Sequence, residues 1–220
     1  MSSVRVMFEK TGSAVFISHL DLVRTMQRVF LRAGIKVRHT EGFNPHPKMV
    51  FPLPLSVGVS SVCEILDTEL EEDMPFDGIA PAMNATMPDG LKVLEAWAPV
   101  KKSKEIGWLD VRCSLEYDSG VPDGAVGAIE ELFSRQSIVI ERKTKSGINP
   151  ADIAPMIHSL RTENAGENRI DLRAVISAQN PTLNPTGLLT AITTYLPELS
   201  PDFADFSRQG IYDRNLNTFR

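Results

Sequence analysis

The densest chemistry in this 220-residue chain sits in one loop, Gly42-Phe43-Asn44-Pro45-His46-Pro47-Lys48. An aromatic ring, an amide, an imidazole and an ammonium fall within seven residues. Each proline fixes its own φ and drives the residue before it toward extended geometry, so Asn44 and His46 are both held extended. A stiff loop presenting polar groups loses little entropy when a ligand arrives. Phe43 then stacks on a base or ring while Asn44, His46 and Lys48 bind around it. The competing reading puts Phe43 in the core and Asn44 in a turn.

A second group, Ser18-His19-Leu20-Asp21, opens a helical pattern. Ser18 with an acid three residues later is a capping box, and Asp21 suits the positive end of the helix dipole. Capping leaves His19 unexplained, so His19 and Asp21 stand as ligand-binding candidates. A third group is the stripe Arg24, Arg28 and Arg32, spaced four apart on one helix face. Guanidinium forks match phosphate oxygens, so Arg24 and Arg28 join the candidate set. The alternative is a solvated face whose charges meet the acidic segment 69–73. His19 and His46 together offer either a pair of ligands or an acid–base pair. No metal-ligand spacing and no phosphate-cradling glycine loop accompanies them.

The elements that position these residues follow from periodicity. Val4 to Glu9 alternates as a strand, and Ala14 to Ile17 reads as a short extended piece. A helix runs from His19 to Ala33 and stops at Gly34. Ile35 to His39 reads as a strand, the proline-broken run 50–55 as an edge strand, and Val62 to Leu70 as a strand. A helix over Asp77 to Met87 and a strand over Leu91 to Ala98 complete a β-α-β-β-α-β order. Pro99 to Gly107 reads as a linker. The second half repeats the grammar. Strands fall at 109–117, 137–142, 156–162, 169–178 and 203–213, and helices at 123–135 and 185–196. The expected fold is therefore α+β, with tandem ferredoxin-like (βαββαβ) modules at 1–100 and 106–220 and antiparallel sheets.

The net charge of −5 is unevenly spread. Residues 1–50 hold eight Lys/Arg against three Asp/Glu, whereas 51–100 hold one Lys against nine acids. A basic segment in an acidic protein points to an anionic partner on one face, or to two segments that neutralise each other. No apolar run approaches the roughly 20 residues a membrane helix needs, and the first residues lack a secretory signal. The expectation is a cytoplasmic protein without membrane contact. Cys63 and Cys113 read as buried free thiols.

The strings Phe8-Glu9-Lys10-Thr11-Gly12, Ser18-His19-Leu20-Asp21 and Gly42 to Lys48, followed by Pro52-Leu53-Pro54-Leu55 and Gly58, resemble the radical SAM-linked domain of unknown function. The resemblance covers nearly the whole chain and is concentrated in residues 4–70. It implies an accessory role beside a radical SAM protein partner. The chain lacks a Cys-x-x-x-Cys-x-x-Cys run, so it holds no such cluster, and no cofactor of its own is expected. Three functions follow as expectations. The first module binds RNA or another anionic ligand for the partner, it cleaves RNA without metal through His19 and His46, or its loop simply docks the partner enzyme.

Overall fold

The computed structural model describes residues 2–144 and 147–220. The chain divides into two compact units, residues through Ser103 together with Arg220, and Lys104–Phe219. The architecture is mixed α+β, with antiparallel strand pairing and, among the described residues, four α-helices.

The first unit carries β1 (Ser2–Lys10), α1 (His19–Arg32), β2 (Met49–Val50), β3 (Val59–Leu70), α2 (Phe76–Asn84) and β4 (Leu91–Trp97). Its strands lie in the order β4-β1-β3-β2, every neighbour antiparallel. Alternation explains the buried face: Val4, Val6 and Phe8 of β1 point the same way as Leu66 and Leu70 of β3 and Leu91 and Val93 of β4. Against them pack Leu22, Met26, Val29 and Phe30 of α1 and Ile79 and Met83 of α2. Several of these side chains are completely buried, so truncating any one would leave a cavity as well as lose transfer energy.

Two sequence expectations change here. Residues 14–17 are not extended, because Gly12–Phe16 form a 3-10 turn. The turn is fixed by Lys10, whose side chain is 1% exposed and whose Nζ donates to the Val15 carbonyl at 2.9 Å. Burial lowers the Lys10 pKa, and the Glu64 carboxylate partly restores it. Residues 35–39 form no full strand. They make isolated bridges only, Val37 to Leu70 and His39 to Pro47. The proline-broken run after Val50 likewise leaves β2 at two residues.

The second unit carries β5 (Ile106–Glu116), α3 (Ala125–Phe133), β6 (Val139–Thr144), β7 (Gly147–Asp152), β8 (Ile157–Ala165), β9 (Arg169–Ser177), α4 (Thr186–Tyr195) and β10 (Phe203–Asp213). Its strands run β10-β5-β9-β8, again antiparallel, while β6 and β7 pair as a separate hairpin. Ile170, Leu172, Ala174 and Ile176 are buried, together with Ile129 and Leu132 of α3 and Leu188 and Ile192 of α4.

The other face of β5 and β9 is a charge lattice. Arg112 stands directly opposite Arg173, and Arg173 opposite Arg161 on β8. Like charges in such register repel. Two buried carboxylates reverse the sign: Asp171 accepts from Arg112 (2.6 Å), Arg169 (2.7 Å) and Ser114 (2.7 Å), and Asp110 pairs with Arg173. Cys63 and Cys113 are both buried and, among the described residues, in no disulfide, and burial pushes the Cys113 thiol up to about 12, with Asp205 adding to the effect. Among the described residues, no helix is long and apolar enough to cross a membrane.

Candidate anion-binding site

Helix α1 sets the first part of the site. Ser18 is its N-cap, extended at φ −69° and ψ 160°. The Ser18 hydroxyl accepts from the Asp21 amide at 3.1 Å and donates to the Asp21 carboxylate at 2.7 Å. That hydroxyl, and secondly Arg24, hold the Asp21 carboxyl below the ordinary carboxylate range. Asp21 is thus occupied by its own cap and by Arg24, whose guanidinium lies 3.3 Å away. Replacing Ser18 with alanine should cost about 1 kcal/mol of stability, the usual value of a lost cap. Urea denaturation checks this, and an unchanged midpoint would contradict the capping assignment. His19 is exposed and lies edge-on to Phe51, with ring centroids 5.4 Å apart. Phe51 in turn packs edge-on against Phe8, so His19 caps an aromatic stack that reaches the core.

The proline-bracketed loop is a tight hairpin. The Thr40 amide donates to the His46 carbonyl at 2.9 Å, and the His46 amide donates to the Thr40 hydroxyl at 3.1 Å. The His46 Nδ1 lies 3.1 Å from that hydroxyl and 3.3 Å from the Asn44 carbonyl. The Lys48 amide donates to the Arg38 carbonyl at 2.7 Å, closing the base of the hairpin. Phe43 is fully exposed at the tip rather than in the core. The Asn44 side chain is exposed beside it.

The acidic segment 69–73 takes the cations of the loop and the segment before it. Glu69 meets Arg38 at 3.1 Å and Lys48 at 3.4 Å, and Glu72 meets Lys36 at 2.6 Å. It does not take the far end of the α1 stripe. Among the described residues, Arg28 and Arg32 enter no ion pair, although both are exposed.

Both arginines line a concavity of about 370 Å³ shared with Thr25, Val29, Thr86, Met87 and Pro88. Arg28 also lines a groove of about 490 Å³ on its other side, with walls from Phe30, Leu31, Ile35, Val37, Pro47 and Met49. Gln27, Gly34, Lys36, His39 and Glu71 complete that groove. Two guanidinium groups outside any ion pair among the described residues, with the Thr25 hydroxyl beside them, favour an anion with several oxygens, whereas the Thr86 hydroxyl already donates to the Met83 carbonyl at 3.1 Å.

The structure therefore gathers the sequence candidates unevenly. Arg28 is in the hollow, and the loop contributes to the neighbouring groove through Pro47. Asp21, Arg24 and Lys48 are committed to ion pairs. Among the described residues, no hydrogen bond or ring contact joins His19 to His46. Among the described residues, no group of three His, Cys, Asp or Glu side chains is placed to hold a metal ion. Thr25, Gln27 and Thr86 line these surfaces without having been singled out by sequence. Gln27 and Thr25 were findable, since they flank Arg28 on the helix. Thr86 was not, because it arrives from the turn after α2.

These features define an antiparallel α+β protein whose first unit presents two helix arginines, Arg28 and Arg32, outside any ion pair among the described residues. The chain belongs to the family described as an uncharacterized protein conserved in bacteria (DUF2344), which matches residues 3–185. No curated protein matches the sequence. Among solved structures, the chain is similar to one in a Cbf5–Nop10–Gar1 complex, with TM-score 0.53 and 9% identity over 94% of this chain and 48% of that one. It also matches a chain of the archaeal box H/ACA sRNP Nop10–Cbf5 complex, with TM-score 0.45, 10% identity, and coverage of 93% and 46%. A protein of unknown function from Galdieria sulphuraria matches with TM-score 0.25, 11% identity, and coverage of 94% and 98%. The chain spans about half the length of the first two. At these identities the first likeness bears on fold alone.

Proposed function

We propose that the first unit binds RNA through the phosphate backbone, with Arg28 and Arg32 as the central contacts and the Phe43–Lys48 loop at the periphery. The observation that carries this is the pair of exposed arginines that, among the described residues, have no counter-ion around one polar hollow, while Arg24, Lys36, Arg38 and Lys48 are each matched by an acid. The strand order β4-β1-β3-β2, with both helices in one core, supports a ferredoxin-like reading of this unit. The order β10-β5-β9-β8 supports the same reading of the second, with the β6–β7 hairpin as an insertion. The sequence resemblance adds a role as accessory to a radical SAM partner.

The test is fluorescence anisotropy of a labelled single-stranded RNA titrated with the protein across a range of salt. Phosphate contacts release counter-ions, so log K should fall linearly with log salt. Failure to bind at low salt, or binding insensitive to salt, would end this reading.

A further inference from the structure

We infer that the 490 Å³ groove beside Arg28 is a nucleobase subsite, so that the oxyanion held by Arg28 and Arg32 is the phosphate of an unpaired nucleotide. The inference rests on the phosphate reading above and adds what lies next to the phosphate.

Arg28 is the wall between two unlike hollows. On one side stand Arg32 and Thr25. On the other stand apolar walls that include Leu31 and Pro47, with the Gln27 amide and the His39 imidazole among the lining groups. A nucleotide has the same division. Its phosphate needs cations and hydroxyls. Its base needs apolar surfaces above and below, and donors and acceptors at its edge. Glutamine and histidine side chains each offer both.

The groove's volume falls within the roughly 300–1,000 Å³ usual for small-ligand sites. Its walls are stiff, because Leu31 stands on a helix and Pro47 is closed into the hairpin by the bridge to His39. Leu31 is 80% exposed, an uncovered apolar side chain beside an uncovered cation. Stacked bases within a duplex cannot enter such a groove, so the occupant is single-stranded. Phe43 is not among the walls, which places the stacking surface away from the aromatic that sequence alone suggested.

The experiment compares a short labelled oligoadenylate RNA with an abasic oligomer of equal length. The oligoadenylate should bind roughly tenfold more tightly, near the low end of what one stacked base contributes. Leu31→Asn should erase that preference while leaving abasic binding and its salt slope unchanged. Leu31 is exposed, so folding survives the change, and the thermal midpoint verifies that. Equal binding of both oligomers, or a preference that persists in Leu31→Asn, overturns the subsite and leaves the groove to another occupant, such as a protein segment. If neither oligomer binds, the phosphate reading itself falls and the subsite falls with it.

Discussion

Replacing Arg28 and Arg32 together with alanine should flatten the salt dependence of RNA binding by about 1.4 in the slope of log K against log salt, since each single-strand phosphate contact contributes roughly 0.7. With equal affinity for the two proteins at about 1 M salt, that difference is a loss of roughly 65-fold in affinity at about 50 mM. Both side chains are exposed and without ion-pair partners among the described residues, so the protein should lose little stability. That separation of effects makes the prediction sharp. Arg24→Ala is the matched control. Its guanidinium already faces Asp21 at 3.3 Å, and the pair carries no net charge to offer a phosphate. If Arg24→Ala weakens binding as much as the double substitution does, the hollow is not the point of contact.

The second large effect concerns the other unit and stability rather than binding. Asp171→Ala should destabilise the protein by about 3 kcal/mol, the low end for removing one partner of a buried ion pair. The low end applies because Arg112 and Arg169 are each about two-fifths exposed and can turn toward water, while Asp171 is buried. The substitution also unmasks the direct opposition of Arg112 and Arg173 across β5 and β9.

A pH signature accompanies it. Burial by itself would raise the Asp171 pKa, but hydrogen bonds from Arg169, Arg112 and Ser114, with the charge of Arg169, outweigh it and leave the carboxyl lowered. The unfolded chain therefore takes up the proton first as pH falls. This contribution is complete above the unfolded value of about 3.9 and drains away as pH falls through the lower folded value. Chemical denaturation of parent and variant should show stability curves that converge in acid. A constant gap down to the lowest measurable pH would remove Asp171 from the account.

The architecture was legible where side chains alternate. Val4, Val6 and Phe8, or Ile170, Leu172, Ala174 and Ile176, state a strand and its buried face together, and the structure buries those residues. Helix α1 was legible from its apolar stripe and from Ser18, which is the cap its spacing suggested. Strand β7 was not legible. Gly-Ile-Asn-Pro-Ala-Asp has no alternation and a proline, and its pairing with β6 is a tertiary fact. The extended reading of 14–17 failed because Lys10 reaches over to hold a turn there, a contact local patterning does not encode.

The site was half legible. The spacing of Arg24, Arg28 and Arg32 gave a common face, but which of them stays uncompensated depends on Asp21 and on where Glu69 and Glu72 arrive from another strand. Whether Phe43 lies in the core or on the surface stayed open for a similar reason: an aromatic between turn residues gives no indication of which way the hairpin tip points, and the structure exposes it.

The buried ammonium of Lys10 gives the fold an internal clock. Amine-acylating reagents modify a neutral, accessible amine, and this one is shielded, 1% exposed and engaged with Val15. Lys36, by contrast, stands in solvent with its partner Glu72. Mass spectrometry of a timed labelling reaction should therefore find Lys36 modified at once and Lys10 modified only as β1 separates from the turn that follows it. The lag between the two would give the opening free energy of the strand at the centre of the first sheet, and equally fast labelling would mean that the strand opens freely.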